Sequence, residues 1–364
     1  MALSDLYCPK RTTFRSIFLF ITVIVLDVIV FVVTWHYEPL HMATGSYFLD
    51  IGVPSILLIA TAGSIVKLSH MLIRKSRITE ISSSIQYFDK TIQRLDFRMR
   101  CDEVNQWLTG LVAGFFIATL LLSIATGIFG NMVFNKIGTI LLVAFIDISN
   151  IPYIVFLILF MACELSVWCR LKLLCTLVKN GLSFTASRAR KDIVMLHHLV
   201  AGLTDLHNVL SAIVQHINAL FLVQVFMCLA AYTSLLIFTL FSYYRAAVVL
   251  GETEYNFARL TVAWSIYNSL FVLPTILFGA WARIEANRFS KLVHLMLRTS
   301  NDNLLQDQLL ALSLQLHHRP LGIRTCFVPL NWPAYASMIG YISTYVVILI
   351  QFDSKAMEIS KLSQ

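Results

Sequence analysis

Charge is scarce in this chain. Asp, Glu, Lys and Arg make up 13% of its 364 residues, and hydrophobic residues make up 58%. Soluble domains run to roughly 25% and 45–50%, so a water-soluble globule is excluded. Glycine (14) and proline (8) are few, and no low-complexity segment divides the sequence. Glycine-rich phosphate loops, nucleophile elbows and zinc-spaced cysteine pairs are all absent, so neither an enzyme activity nor a cofactor is expected.

What the chain has instead is apolar runs of membrane length. Seven are present, at 14–35, 48–68, 107–130, 138–168, 219–243, 258–282 and 333–352. Each is long enough to cross about 30 Å of hydrocarbon at about 1.5 Å per residue. Backbone groups in lipid must be satisfied within the segment, so helix is the expected state and the fold class is all-α. The first run follows Lys10, Arg11 and Arg15, in the manner of a signal peptide. It is too long for one, and no small-residue cleavage site precedes Tyr37-Glu38-Pro39, so it is expected to remain as a span.

The basic residues give an orientation. Only Lys136, Arg245, Arg259, Lys355 and Lys361 fall on one side of the seven runs; the other 23 of the 28 Lys and Arg residues fall on the opposite side. The positive-inside rule puts the N-terminus in the cytosol and the C-terminus outside. The formal charge of +8 is mainly this topological signal, divided among several loops, and no nucleic-acid partner is expected. A G-protein-coupled receptor has the reverse orientation.

Cys8, Cys101, Cys163, Cys169, Cys175, Cys228 and Cys326 all fall in cytosolic or membrane segments, so no structural disulfide is expected. The doublets His197-His198 and His317-His318 place adjacent rings about 100° apart on a helix, which is no chelating face.

The inner connections are long and carry apolar stripes. Ile193, Leu196, Val200, Leu203, Leu206, Leu210, Ile213 and Ile217 recur at helical spacing and lead without a break into the fifth run. Leu292, Leu295, Leu304, Leu305, Leu309, Leu312 and Leu316 read as a similar extension of the sixth. Such stripes must be covered, either inside the protomer or by neighbouring copies. Pro320 should end the second extension, because proline disfavours helix at the residue before it.

The last run contains Thr344-Tyr345-Val346-Val347-Ile348-Leu349-Ile350-Gln351-Phe352. Thr-Tyr, five apolar residues and Gln-Phe resemble the C-terminal signature of the insect gustatory receptors, chemosensory channels related to insect odorant receptors. The leucine-rich helix, the break at Pro320 and the final span are similar to that family too. The resemblance covers the C-terminal part at motif level and the whole chain at topology level. It implies seven helices, a tetramer (homomeric or with related subunits) held by a cytosolic anchor, here 170–218 and 283–332, and a pore lined by the last span. It implies cation conduction gated by a tastant, in the plasma membrane of a chemosensory neuron and its dendrites. A bitter or other non-sugar compound is the expected stimulus, and lipids are the expected surroundings.

On that reading Thr344, Ile348 and Gln351 share one helix face, with Tyr345, Leu349 and Phe352 beside it. Four copies would form an apolar constriction at Ile348, which blocks ions by dewetting, and a polar ring at Gln351. Packing of Tyr345 and Gln351 between helices is the competing role. Asp353 is either one of four mouth carboxylates that concentrate cations, a field to which Glu252 and Glu254 in an outer turn would add, or a solvated tail residue. A ligand from outside would meet the outer halves of the third to sixth spans, where Ser123, Asp147, Asn150, Tyr153, Tyr232, Trp264, Tyr267 and Asn268 lie. Asp27 in the first span is costly in lipid, so it is functional or bonded to a neighbouring helix. A secondary transporter of a small solute is the alternative; it predicts internal repeats and broken helices, with Pro54, Pro152 and Pro274 as candidate kinks.

Overall fold

A computed structural model describes residues 73–94, 102–133, 136–185, 190–249, 251–324 and 330–362, with scattered positions between 21 and 70. Most of the first two apolar runs, Asp27, Pro54, Cys8, Cys101 and Cys326 lie outside the described residues. So do the side chains of Asp147 and Asn150.

Helices account for nearly everything described. They are α1 (Lys75–Arg94), α2 (Asp102–Val133), α3 (Lys136–Thr185), α4 (Arg190–Val249), α5 (Glu252–Thr299), α6 (Asn303–His318) and α7 (Trp332–Leu362). Five of them, α2 to α5 and α7, are long and apolar enough to cross a membrane. On α2, Phe116, Ile117, Leu120, Leu121 and Ile124 all face outward. That surface would be a liability in water and is ordinary against hydrocarbon.

α5 is the axis of the bundle and packs on α2, α3, α4, α6 and α7. Aromatic pairs fix its register against α2: Trp107 meets Phe278 and Trp281 at one end, and Phe115 stacks on Phe271 at 4.3 Å further along. α2 and α5 are therefore antiparallel. Tyr153–Phe271 and Trp168–Trp281 show that α3 runs parallel to α5. Glu252 and Glu254 in the first turn of α5 and Arg298 in its last turn complement the helix dipole. α3 runs through Pro152 and α5 through Pro274 without ending.

The apolar stripe before the fifth run is buried. Leu196, Val200, Leu203, Leu206, Leu210, Ile213 and Ile217 lie in one core with Phe289, Val293 and Met296 of α5 and Leu305, Leu309 and Leu312 of α6. The same chain covers it, while Leu295 and Leu304 remain exposed. The expected single extension of the sixth run is in fact two helices. α5 stops at Thr299, and α6 packs back on α5 and α4. Ser300, Asn301 and Asp302 form the break, and extended backbone at Ser300 and Asp302 caps the two helices. The Asp302 carboxylate does not cap α6. It lies 2.8 Å from Nε2 of His197 on α4, whose Nδ1 is 3.0 Å from Gln308 Oε1.

α6 ends at His318, just before Arg319-Pro320. The following connector is held by α4. Asn208 contacts Gln315 and Arg319. The Asn218 amide donates to the Gly322 carbonyl at 3.1 Å, and its carbonyl accepts from the Arg324 N–H at 3.1 Å. α7 then starts at Trp332-Pro333. Asn331 is its N-cap, with Oδ1 accepting the Ala334 N–H at 3.0 Å, and Pro333 supplies a pre-set φ in the first turn.

Candidate functional site

Two regions gather the candidate residues. The first lies between α2, α3, α4 and α5, and α5 presents a different chemistry on each of two faces. Trp264, Tyr267 and Phe271 lie at helical spacing toward α2 and α3. Trp264 Nε1 donates to Thr126 Oγ1 at 3.2 Å, and the Tyr267 hydroxyl is 3.2 Å from Thr119 Oγ1. Tyr267 and Tyr153 both meet the Phe271 ring edge-on, at 4.6 and 5.9 Å. Edge-to-face pairing lets each ring's positive edge meet its neighbour's negative face.

The opposite face carries Thr261, Ser265 and Ser269. They bond to α4 through Ser242 (2.9 Å), Thr239 (2.6 Å) and Tyr232 (2.9 Å) respectively. These hydroxyls satisfy one another within the packed α4–α5 interface, which also fixes the angle of the α4–α5 hairpin. Asn268 donates to its own helix at the Trp264 carbonyl, and Ser123 to the Thr119 carbonyl. Tyr153, Tyr232, Trp264 and Tyr267 are all buried. Of the eight residues expected here, Tyr153 and Tyr267 converge on the Phe271 ring, Trp264 bonds to Thr126 of α2 nearby, and Tyr232 belongs to the hydroxyl cluster. Phe115, Thr119, Thr126, Thr261, Ser265 and Ser269 were not anticipated. The 261, 265, 269 spacing of hydroxyls was the available signal.

An open groove of about 630 Å³ lies along α2 toward its Trp107 end, floored by Gly110, Gly114 and Ala118. Phe115 closes it on the side of the aromatic cluster.

The second region is α7. One stripe of it, Tyr335, Met338, Ile342, Leu349 and Asp353, is at least partly buried, and α4 is its main support. Thr344, Tyr345, Ile348, Gln351 and Phe352 are exposed, as are Tyr341 and Val347. The structure thus places five of the six pore candidates on one open surface of the protomer. Leu349, grouped with Tyr345 and Phe352 from sequence, packs inward instead.

Asp353 differs from its neighbours. It is buried, and Oδ2 lies 3.1 Å from a terminal nitrogen of Arg245 on α4. Side-chain exposures are 4% for Arg245 and 6% for Asp353, so the pair is withdrawn from solvent. Asp353 is neither solvated nor without a counter-charge.

The insect olfactory receptor OR5 from Machilis hrabei, solved in complex with eugenol, superposes with a TM-score of 0.60 over 91% of this chain and 88% of that one, at 16% identity. A second structure of the same receptor superposes equally well, with a TM-score of 0.60 over 91% of this chain and 88% of that one, at 15% identity. That likeness is one of fold. No curated protein sequence matches the chain. Residues 4–356 match the 7tm chemosensory receptor family, which is a family of receptors and not of enzymes. An all-α, membrane-spanning chain matched over almost its whole length belongs to the 7tm chemosensory receptor family.

Proposed function

We propose that the chain is a gustatory receptor subunit: a cation channel opened by a small tastant. Seven spans, a cytosolic N-terminus and an external C-terminus belong to this reading, as do a tetramer and the plasma membrane of a chemosensory neuron. The observation that carries it is the open surface of α7. Tyr341, Thr344, Tyr345, Ile348, Gln351 and Phe352 are left uncovered by the protomer, and they include the ends of the Thr-Tyr to Gln-Phe motif. Such a surface suits a helix whose remaining neighbours are copies of itself around an axis. Ile348 then supplies the apolar constriction and Gln351 the polar ring above it.

The aromatic and hydroxyl clusters are the proposed origin of ligand sensitivity. Ring edges at Tyr153, Tyr267 and Trp264 suit a planar compound, and the hydroxyls supply directional bonds. The solved relative's complex with eugenol, itself a small aromatic compound, supports this class of stimulus. The motif in α7 favours taste over olfaction, and a bitter or other non-sugar compound is the proposed stimulus. Residues 170–218 and 283–332 serve as the anchor.

Whole-cell recording from cells expressing the chain, alone and with related receptors, across a panel of planar bitter compounds, tests the proposal. Ligand-evoked cation current is the expected result. Uptake of labelled solute without current would replace the channel with a transporter.

A further inference from the structure

Arg245 has no part in a pore or a ligand cluster, yet it is among the most buried charges in the described residues. It sits one turn before the end of α4, and Asp353 directly follows the apolar run of α7. At the other end of α7, Asn218 grips the connector through both Gly322 and Arg324. Asn218 and Arg245 are 27 positions apart on one helix, roughly 40 Å at 1.5 Å per residue, about the thickness of a bilayer with its headgroups. α4 thus holds both the connector that leads into α7 and, through Asp353, the far part of α7 itself. Its packing against α5 is slighter.

We propose that Arg245 is a positioning residue for the gate, coupling the outer end of α7 to α4 through Asp353. This deepens the channel reading and rests on it. The physical reason is the environment. In low dielectric a lone guanidinium or carboxylate is strongly disfavoured, so the two groups stay together when either helix moves. α4 carries Tyr232, Thr239 and Ser242 of the hydroxyl cluster. A ligand that shifts α4 therefore shifts the outer end of α7, where Gln351 and Phe352 lie. Asp353 acts through gating and not as a free charge at the pore mouth.

The two roles of Asp353 separate experimentally. Wild type, Arg245→Gln, Asp353→Asn and the swapped pair Arg245→Asp with Asp353→Arg are recorded for ligand dose-response and single-channel conductance, with surface labelling. Under the coupling proposal both single variants raise the half-activating ligand concentration by about tenfold or more, the effect of ~1.4 kcal/mol on an equilibrium. Their conductance stays at the wild-type value, and the swap restores sensitivity. A mouth-charge role predicts lower conductance in Asp353→Asn, higher conductance in Arg245→Gln and the lowest in the swap; that pattern overturns the proposal. Wild-type sensitivity in both single variants at normal surface level also overturns it. If the single variants fail to reach the surface, the swap decides: normal surface level and sensitivity support coupling, and its loss as well assigns the pair to folding alone. If the chains reach the surface and none, wild type included, carries current, the channel reading falls and the coupling falls with it.

Discussion

Arg170 holds Asp89 through both carboxylate oxygens, each 2.9 Å from the same terminal nitrogen. This contact ties α1 to α3. The other terminal nitrogen donates to the Ser166 carbonyl at 3.0 Å, and the guanidinium lies 5.6 Å from the centre of the Phe88 ring. Arg170 is 6% exposed and Asp89 33%. Asp89 can recover water when its partner is lost, and Arg170 cannot. Asp89→Ala is therefore expected to destabilise at least as much as Arg170→Ala, each by roughly 2–4 kcal/mol. Thermal unfolding of detergent-purified protein checks the order; a clearly larger loss for Arg170→Ala would contradict it.

The α7 surface gives a second prediction. Ile348→Ser and Gln351→Ala should change leak, rectification or ion selectivity while surface expression holds, because both side chains are uncovered in the protomer. Ile342→Ser, on the buried stripe, should lower expression instead. Surface biotinylation with current recording separates the two. Equal loss of expression at all three positions would mean that the uncovered face is packing surface.

Orientation is tested by epitope insertion. The turn joining α4 to α5 and a tag after Gln364 should both be reached by antibody on intact cells. A tag in the α6–α7 connector should need permeabilisation. The reverse pattern would overturn the positive-inside reading.

His207 makes stability depend on pH. It lies in the extension of α4 that precedes the fifth apolar run, beside Phe289 and near Arg319, and burial pushes its pKa down from 6.5 to about 4. The folded state holds the ring neutral while the unfolded chain takes up a proton below its ordinary pKa. Stability from this group is therefore full above about pH 6.5 and falls as pH drops toward 4. The difference at pH 5 is about 2 kcal/mol. Melting temperatures at pH 7.5 and 5.0 should differ less in His207→Leu than in wild type; an equal difference would place the acid sensitivity elsewhere.

The membrane helices were legible because apolar length is a local property. The runs at 107–130, 138–168, 219–243, 258–282 and 333–352 each fall within one of α2, α3, α4, α5 and α7. The stripe from Leu196 to Ile217 was legible for a similar reason, since its period survives in one short window. The break at Ser300–Asp302 was hidden by leucines that kept a helical rhythm on both sides of it. The Arg245–Asp353 pair was not legible at all. Arg245 registered only as one of the few basic residues outside, and its partner lies 108 positions away. Pairing across that distance is decided by how α4 and α7 pack, which no local pattern encodes. The hydroxyl ladder at 261, 265 and 269 could have been found, but serine and threonine in an apolar run read as neutral until the opposing helix is known.

α4 is one unbroken helix of 60 residues, a rod about 90 Å long. A rod levers about a pivot. With the fulcrum near its middle, a tilt of about 2° carries each end roughly 1.5 Å, in opposite directions. Its first turns hold the α5–α6 turn through His197 and Asp302, and its last turns hold α7 through Arg245 and Asp353. Movement at one end of the rod is thus paired with a counter-movement at the other, so whatever grips the His197 end weighs against every displacement at the Arg245 end.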